Sequence, residues 1–183
     1  MRIVYRRILA PRNTEPTVRE AMTGARGIDW SRYDERAKSL ERQLEGLLSA
    51  EPLASDDERL ARVYLAFAKL TRPLMSAELR KVLTDIERWR ESGVYPPELE
   101  RVSRRLGEIS WQRLGEANDT GRPSEQAFLY ALLESCARRR FTIDASTDID
   151  PIGWMVAIGI PPRDVAQAVI AEYPQVTWPE ENA

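Results

Sequence analysis

Apolar residues that recur every three or four positions, in segments bounded by Ser, Pro or Gly, constrain the fold of this chain most strongly. They run from Ser31 to about Tyr173, and this spacing places the apolar side chains of each segment on one face of a helix. Most segments begin at a residue that favours helix N-termini, and Gly or Pro follows their ends. The pattern predicts an all-α, single-domain bundle of about seven to eight irregularly crossed helices.

The bounding residues also predict where individual helices begin. We expect starts near Ser31, Ser55, Ser76 and Pro97. The last three are evenly spaced, as in stacked repeats, but their segments share no repeat signature, which favours irregular crossing. The segment 125–138 is apolar around much of its circumference and therefore predicts a helix at the centre of the bundle.

The two ends of the chain have weaker patterns. Residues 1–27 satisfy neither a helical nor a strand period, so a short helix and an edge strand both stay open there, and residues 1–30 are the least defined part of a domain that spans 1–173. Residues 150–173 predict a small C-terminal pair of helices. The segment 174–183 places a tryptophan among Pro and acidic residues and predicts a loose tail.

The absence of histidine and the single cysteine, Cys136, remove whole classes of chemistry. Without imidazole there is no Ser-His-Asp or Cys-His triad, no histidine general base and no histidine ligand for zinc or haem. One thiol cannot close an intramolecular disulfide, and its place in an apolar segment predicts a buried structural cysteine. We expect no cofactor, and the composition leans away from an enzyme.

Signals for export or membrane insertion are weak. The arginines within residues 2–7 are followed by an apolar stretch that is too short for a signal sequence. The apolar runs 127–133 and 152–160 are far shorter than the roughly 20 residues that a membrane span needs. These features predict a cytoplasmic protein without a membrane partner, in agreement with the lone thiol.

Three carboxylates, Asp144, Asp148 and Asp150, lie in the most acidic irregular stretch and offer oxygen ligands for Mg²⁺ or Ca²⁺. The stretch lacks the turn glycine and the distal bidentate Glu of a calcium-binding loop. Asp150 also precedes Pro151, a pair that is typical of a helix start. We favour capping and solvation for these residues, and an Mg²⁺-dependent enzyme that uses Asp and Glu is the alternative.

Arginine and tryptophan supply the candidate residues for contact with another protein, because both are enriched among interface anchors. Four arginines belong to one predicted helix, and three tryptophans fall near helix ends, off the main apolar stripe or in the tail. The candidate partner-binding residues are Arg101, Arg104, Arg105, Arg113, Trp30, Trp111 and Trp178.

The charge balance argues against a general nucleic-acid binder. The 27 Lys and Arg residues nearly cancel the 29 Asp and Glu residues, which leaves a formal net charge of -2. No aromatic residues alternate with the arginines as in an RNA-binding sheet. A nucleic-acid regulator that uses the helix from Arg101 to Arg113 is kept as the second alternative.

These observations favour a protein-binding module without catalytic activity. Such a protein would occlude or recruit a protein partner, as an adaptor, an inhibitor, or a bacterial antitoxin or immunity-type protein. The specific biological roles are analogies, because a helical bundle alone does not imply a function. The sequence also leaves self-association into a homo-oligomer open.

Overall fold

The computed structural model describes residues 28–50, 58–120, 125–138 and 151–179. Within these residues the chain forms helices and no strand, so the all-α, single-domain prediction is confirmed. Short 3₁₀ turns occupy Trp30–Arg32 and Arg72–Leu74. The helices are α1 (Glu35–Ala50), α2 (Glu58–Leu70), α3 (Ala77–Ser92), α4 (Pro97–Thr120), α5 (Glu125–Ala137), α6 (Pro151–Ala157) and α7 (Pro162–Glu172).

Local capping residues determine several of these boundaries. The Ser76 hydroxyl accepts a hydrogen bond from the backbone N–H of Leu79 at 3.3 Å, so it caps α3 as its sequence predicts. Gly93 ends the same helix with φ of 70°, a left-handed conformation that favours glycine. Pro97 is the first residue of α4, also as expected. The predicted start at Ser55 lies outside the described residues.

The start of α1 differs from the prediction, because Ser31 belongs to the preceding 3₁₀ turn. Asp34 is the residue that caps α1, and its carboxylate accepts the backbone N–H groups of Arg36 and Ala37, each at 3.0 Å. Partial burial acts to raise the pKa of Asp34, but these hydrogen bonds and the Arg36 guanidinium outweigh it and lower that pKa. The carboxylate therefore stays ionised and caps the helix down to acidic pH.

Helix α5 lies at the centre of the domain. Its buried side chains include Leu129, Leu132 and Leu133, and its most extensive contacts are with α4, followed by α2 and α3. The sequence predicted this central position from the apolar character of 125–138, and the structure confirms it. Helices α3 and α4 make little contact with each other, whereas both contact α5, so the evenly spaced starts do not produce a stack of repeats.

The last two helices adjoin each other and also pack into the rest of the domain. Every residue of α6 is buried, and α6 contacts α1, the first 3₁₀ turn and α7. Trp154 of α6 stacks on Phe128 of α5 with 5.4 Å between ring centroids. Helix α7 packs mainly on α2. The predicted C-terminal pair of helices therefore shares the core of the domain.

Residues 174–179 are packed against α1, which differs from the loose tail that the sequence predicts. Val176 is buried, and the Gln43 side chain accepts the backbone N–H of Thr177 at 3.0 Å and donates to the Thr177 carbonyl at 3.0 Å. This paired amide arrangement satisfies the backbone of an irregular segment, so the segment is held without regular secondary structure. Residues 180–183 lie outside the described residues.

A membrane-spanning helix is not found among the described segments. The longest of them is α4, and Glu or Arg residues occur in almost every turn of this helix.

Two glycines give a matched test of the backbone. Gly159 has φ of 98°, and a Cβ there would lie 2.7 Å from the Arg32 guanidinium, whereas Gly46 of α1 is exposed and a Cβ would meet nothing within 4 Å. We expect Gly159→Ala to lower the free energy of unfolding by about 1–2 kcal/mol, because alanine is strained at this φ. Gly46→Ala should raise it by up to about 1 kcal/mol through helix propensity. Urea denaturation measures both, and equal effects of the two changes would contradict the conformation at Gly159.

Candidate functional site

Three arginines of α4 form one exposed surface, the α4 arginine face, which consists of Arg101, Arg104 and Arg105. Positions three and four apart are neighbours on a helix, so the three side chains project from the same side. The opposite side of α4 is fixed by packing on α5, where Leu106 is buried. Packing therefore holds the helix in place while its arginines face solvent.

None of the three arginines forms an ion pair or a hydrogen bond with any described residue. Arginines elsewhere are engaged, as in the pairs of Arg62 with Glu172 at 2.7 Å and of Arg72 with Glu87 at 3.4 Å. Three glutamates of α4 have the spacing for helical ion pairs with these arginines but form none in the structure. They are Glu98, Glu100 and Glu108.

Trp111 extends this surface along α4. Its side chain is 51% exposed, and it lies seven residues, about two helical turns, beyond Arg104 on the same side of the helix. Large aromatic side chains with this degree of exposure are uncommon, and they contribute much of the binding energy at protein interfaces. Among the described residues, Val94 is the other large hydrophobic side chain that is mostly exposed, at 72%.

The remaining predicted partner-binding residues do not join the α4 arginine face. The Arg113 guanidinium lies 5.3 Å from the ring centre of Tyr130 in α5, so it packs within the domain. Trp30 is half-buried and meets Trp154 edge-on with ring centroids 5.3 Å apart. Trp178 is half-buried against the core and lies under the Arg36 guanidinium at 5.6 Å. These contacts indicate structural roles for the three side chains.

A groove of about 910 Å³, here called the Arg90 groove, opens beside the α4 arginine face. It lies where the end of α3, the α3–α4 connection, the first turns of α4 and the end of α5 meet the start of α2. Arg104 belongs to both surfaces, so they are continuous. The charged and polar side chains that line the groove include Glu58, Arg90, Tyr95, Arg104, Glu134 and Arg138.

Arg90 is the most enclosed cation of this groove, with its side chain 16% exposed. Its guanidinium lies 4.1 Å from the centre of the Trp89 ring, and Trp89 in turn meets Tyr95 edge-on at 4.7 Å. Its polar contacts are long: 3.5 Å from Nη2 to the Arg138 carbonyl oxygen and 3.6 Å from Nη1 to a Glu58 carboxylate oxygen.

The end of α5 forms the wall that adjoins Arg90. Arg138 donates to both carboxylate oxygens of Glu134, at 2.7 and 3.2 Å, in a bidentate pair. The Tyr95 hydroxyl donates to the Ala137 carbonyl at 3.2 Å, and the Ser103 hydroxyl donates to the Glu134 carbonyl at 3.4 Å. The bonds from Tyr95 and Ser103 satisfy carbonyl groups that the helix end leaves without intrahelical partners, so the α3–α4 connection and α4 both fix this wall.

The sequence did not single out Arg90 or Tyr95. Arg90 lies between Glu87 and Glu91 and resembles one member of an ordinary solvated charged helix face. One signal was available: Arg90 lies in the last turn of α3 before the helix stop at Gly93, where cationic side chains often contact the last carbonyl groups of a helix.

The alternative metal site lies outside the described residues, since Asp144, Asp148 and Asp150 all fall in the segment 139–150. In the segments that the structure describes, no group of three or more His, Cys, Asp or Glu residues is arranged to hold a metal ion.

No protein-family model matches the chain, and neither a curated protein nor a solved structure matches it significantly. A function for this chain is therefore argued from its own surfaces, because a helical bundle hosts many unrelated functions.

Proposed function

We propose that this chain is a protein-binding module without catalytic activity, and that it binds an acidic segment of a protein partner on the α4 arginine face. The observation that carries the proposal is a group of three exposed arginines that form no ion pair with any residue the structure describes, on a helix that also exposes Trp111. By covering or presenting this segment, the module would occlude or recruit its partner, as an adaptor, an inhibitor, or an antitoxin or immunity-type protein.

The chemistry of guanidinium supports an acidic partner. Each guanidinium presents a planar fork of N–H donors that matches a carboxylate, and a free arginine does not first have to break an internal ion pair. The neighbouring glutamates on α4 reduce the long-range attraction between this face and an acidic partner. We therefore expect the affinity to depend on direct pairing of arginines with carboxylates more than on net charge.

The rigidity of α4 supports the same proposal. Its buried side, with Leu106 and Ser110, packs on α5, and the Ser110 hydroxyl donates to the Ala127 carbonyl at 3.2 Å. A surface that is ordered before binding loses less conformational entropy when a partner docks. Helical arginines at fixed spacing would therefore recognise the spacing of the partner's carboxylates.

The cellular setting is part of the proposal. The lone cysteine is buried, and the chain has no second thiol for a disulfide, which suits a reducing compartment. We place the protein and its partner in the cytoplasm of a bacterial cell.

Capture from the source cells tests the proposal. The tagged chain is compared with the variant Arg101→Gln/Arg104→Gln/Arg105→Gln and with Arg42→Gln/Arg88→Gln/Arg163→Gln, which removes three exposed arginines from other helices. Bound proteins are identified by mass spectrometry, and the affinity of the stoichiometric partner is then measured by titration. We expect the α4 variant to bind at least about tenfold more weakly and the control variant to bind normally.

Other outcomes would overturn the proposal. A partner whose affinity survives the α4 substitutions does not use this face. Recovery of nucleic acid in place of protein, with an affinity that falls steeply as salt rises, would support the nucleic-acid regulator. A second copy of the chain as the captured partner would indicate a homo-oligomer.

A further inference from the structure

We propose that the Arg90 groove is an anion-binding site that takes one carboxylate of the acidic segment, the side chain of a glutamate or aspartate, at the guanidinium of Arg90. This inference rests on the proposed function, because Arg104 makes the groove continuous with the α4 arginine face. The segment would lie along α4 and insert one acidic side chain beside Trp89.

The coordination of Arg90 carries the proposal. A guanidinium has five N–H donors, yet the polar contacts of Arg90 within the described residues are 3.5 Å or longer. Good charge-assisted hydrogen bonds are about 2.7–2.9 Å long. Arg90 is mostly enclosed and fixed on Trp89, so its donors reach the groove with little freedom to turn away. A bidentate carboxylate would supply the short acceptors that the described part of the chain does not offer this guanidinium.

The groove has the size and walls for such a ligand. Its volume of about 910 Å³ lies within the usual range of ligand sites, about 300–1,000 Å³. Tyr95 is held by its bond to the Ala137 carbonyl, so the wall beside Arg90 is rigid. Val94, which is 72% exposed, lies in the chain between Gly93 and Tyr95, which both line the groove, and would offer an apolar contact for the rest of the segment.

The acidic side chains of the groove decide where an anion can bind. Glu134 is paired with Arg138 in bidentate fashion, so it is already neutralised. Glu100 is exposed on α4. Glu58 is 63% exposed and approaches Arg90 at 3.6 Å, so it competes with an incoming carboxylate for the same guanidinium. An incoming carboxylate therefore displaces Glu58, which is free to turn into solvent.

Removal of that competitor gives a test that unfolding cannot mimic. We expect Glu58→Gln to bind a carboxylate about three- to tenfold more tightly, because the substitution removes a negative charge that repels the ligand and competes with it for Arg90. Glu45→Gln, which removes an exposed carboxylate from α1, is the matched control and should leave the affinity unchanged. Arg90→Lys keeps the charge but loses the fork, and should weaken binding about tenfold.

The probes are N-acetylglutamate and a peptide of eight glutamates, each titrated while the indole N–H of Trp89 and the amide N–H of Tyr95 are followed by ¹⁵N NMR. The small probe reaches the groove without needing the rest of α4. A saturable shift of both signals, tighter in Glu58→Gln, is the expected result. No saturable shift at these positions, or an affinity that Glu58→Gln and Arg90→Lys both leave unchanged, overturns the groove proposal.

The failure of one proposal is distinguishable from the failure of the other. One outcome is that the affinity of the natural partner depends on the α4 arginine face while neither probe shifts the Trp89 and Tyr95 signals. The proposed function then stands and the groove proposal fails. If N-acetylglutamate binds the groove with the Glu58→Gln gain while no partner depends on Arg101 and Arg105, the groove stands and the proposed function fails.

Discussion

Leu133→Ala is expected to lower the free energy of unfolding by about 3–5 kcal/mol. Leu133 is 0% exposed and belongs to α5, which contacts α2, α3 and α4. The substitution removes buried methyl groups and leaves a cavity that helices on several sides cannot all close. Because domains are stable by about 5–15 kcal/mol, this single change removes a large share of the total.

Urea denaturation followed by circular dichroism measures the loss, and thermal melting should show a decrease of roughly 10 °C. Leu65→Ala is the matched control, because Leu65 is a half-buried leucine of α2 with the same change in helix propensity. We expect about 1 kcal/mol for the control. Equal losses for the two variants would contradict the central position of α5.

Local chemistry explains which parts of this fold the sequence predicts well. The cap at Ser76, the stop at Gly93 and the start at Pro97 depend on residues within one turn of the boundary. The central position of α5 follows from its apolar circumference, which no surface helix tolerates. In both cases the information is contained within the segment itself.

Contacts between distant residues explain what the sequence did not predict. The segment after α7 looked loose because Pro and acidic residues favour irregular chain. It is held by Gln43 on α1, which is 134 positions away from Thr177 and carries no signal of this pairing. The prediction for the start of α1 was wrong for a different reason, since Ser31 and Asp34 are both good capping residues and the local sequence does not choose between them.

The same distinction applies to the candidate site. The sequence placed Arg101, Arg104 and Arg105 on one predicted helix, and their shared face in the structure follows from helical spacing alone. It could not assemble the Arg90 groove, whose charged side chains come from α2, α3, α4 and the end of α5. Arg113 belongs to the same helix but not to the same face. It lies eight positions after Arg105, and its guanidinium packs on the Tyr130 ring.

Cys136 is expected to react with a disulfide reagent such as DTNB at least about 1,000-fold more slowly in the native protein than in denaturant at pH 8. The thiol is 1% exposed, and desolvation raises its pKa to about 12, while the Arg90 guanidinium acts to lower it and Glu134 to raise it. Thiolate is the reacting species, and this pKa lowers the fraction of thiolate at pH 8 by about three orders of magnitude relative to a solvated thiol. Burial then requires α5 to open before the reagent can enter.

The control for this measurement is Cys136→Ala/Gln167→Cys, which moves the thiol to an exposed position on α7 and should react at similar rates in native and denatured protein. A Cys136 thiol that reacts rapidly in native conditions would show that the end of α5 opens frequently. That result would also weaken the groove proposal, because Glu134 and Arg138 line the groove next to Arg90 and flank Cys136 in the chain. Slow reaction indicates instead that this wall is ordered before any partner binds, as recognition by a preformed groove requires.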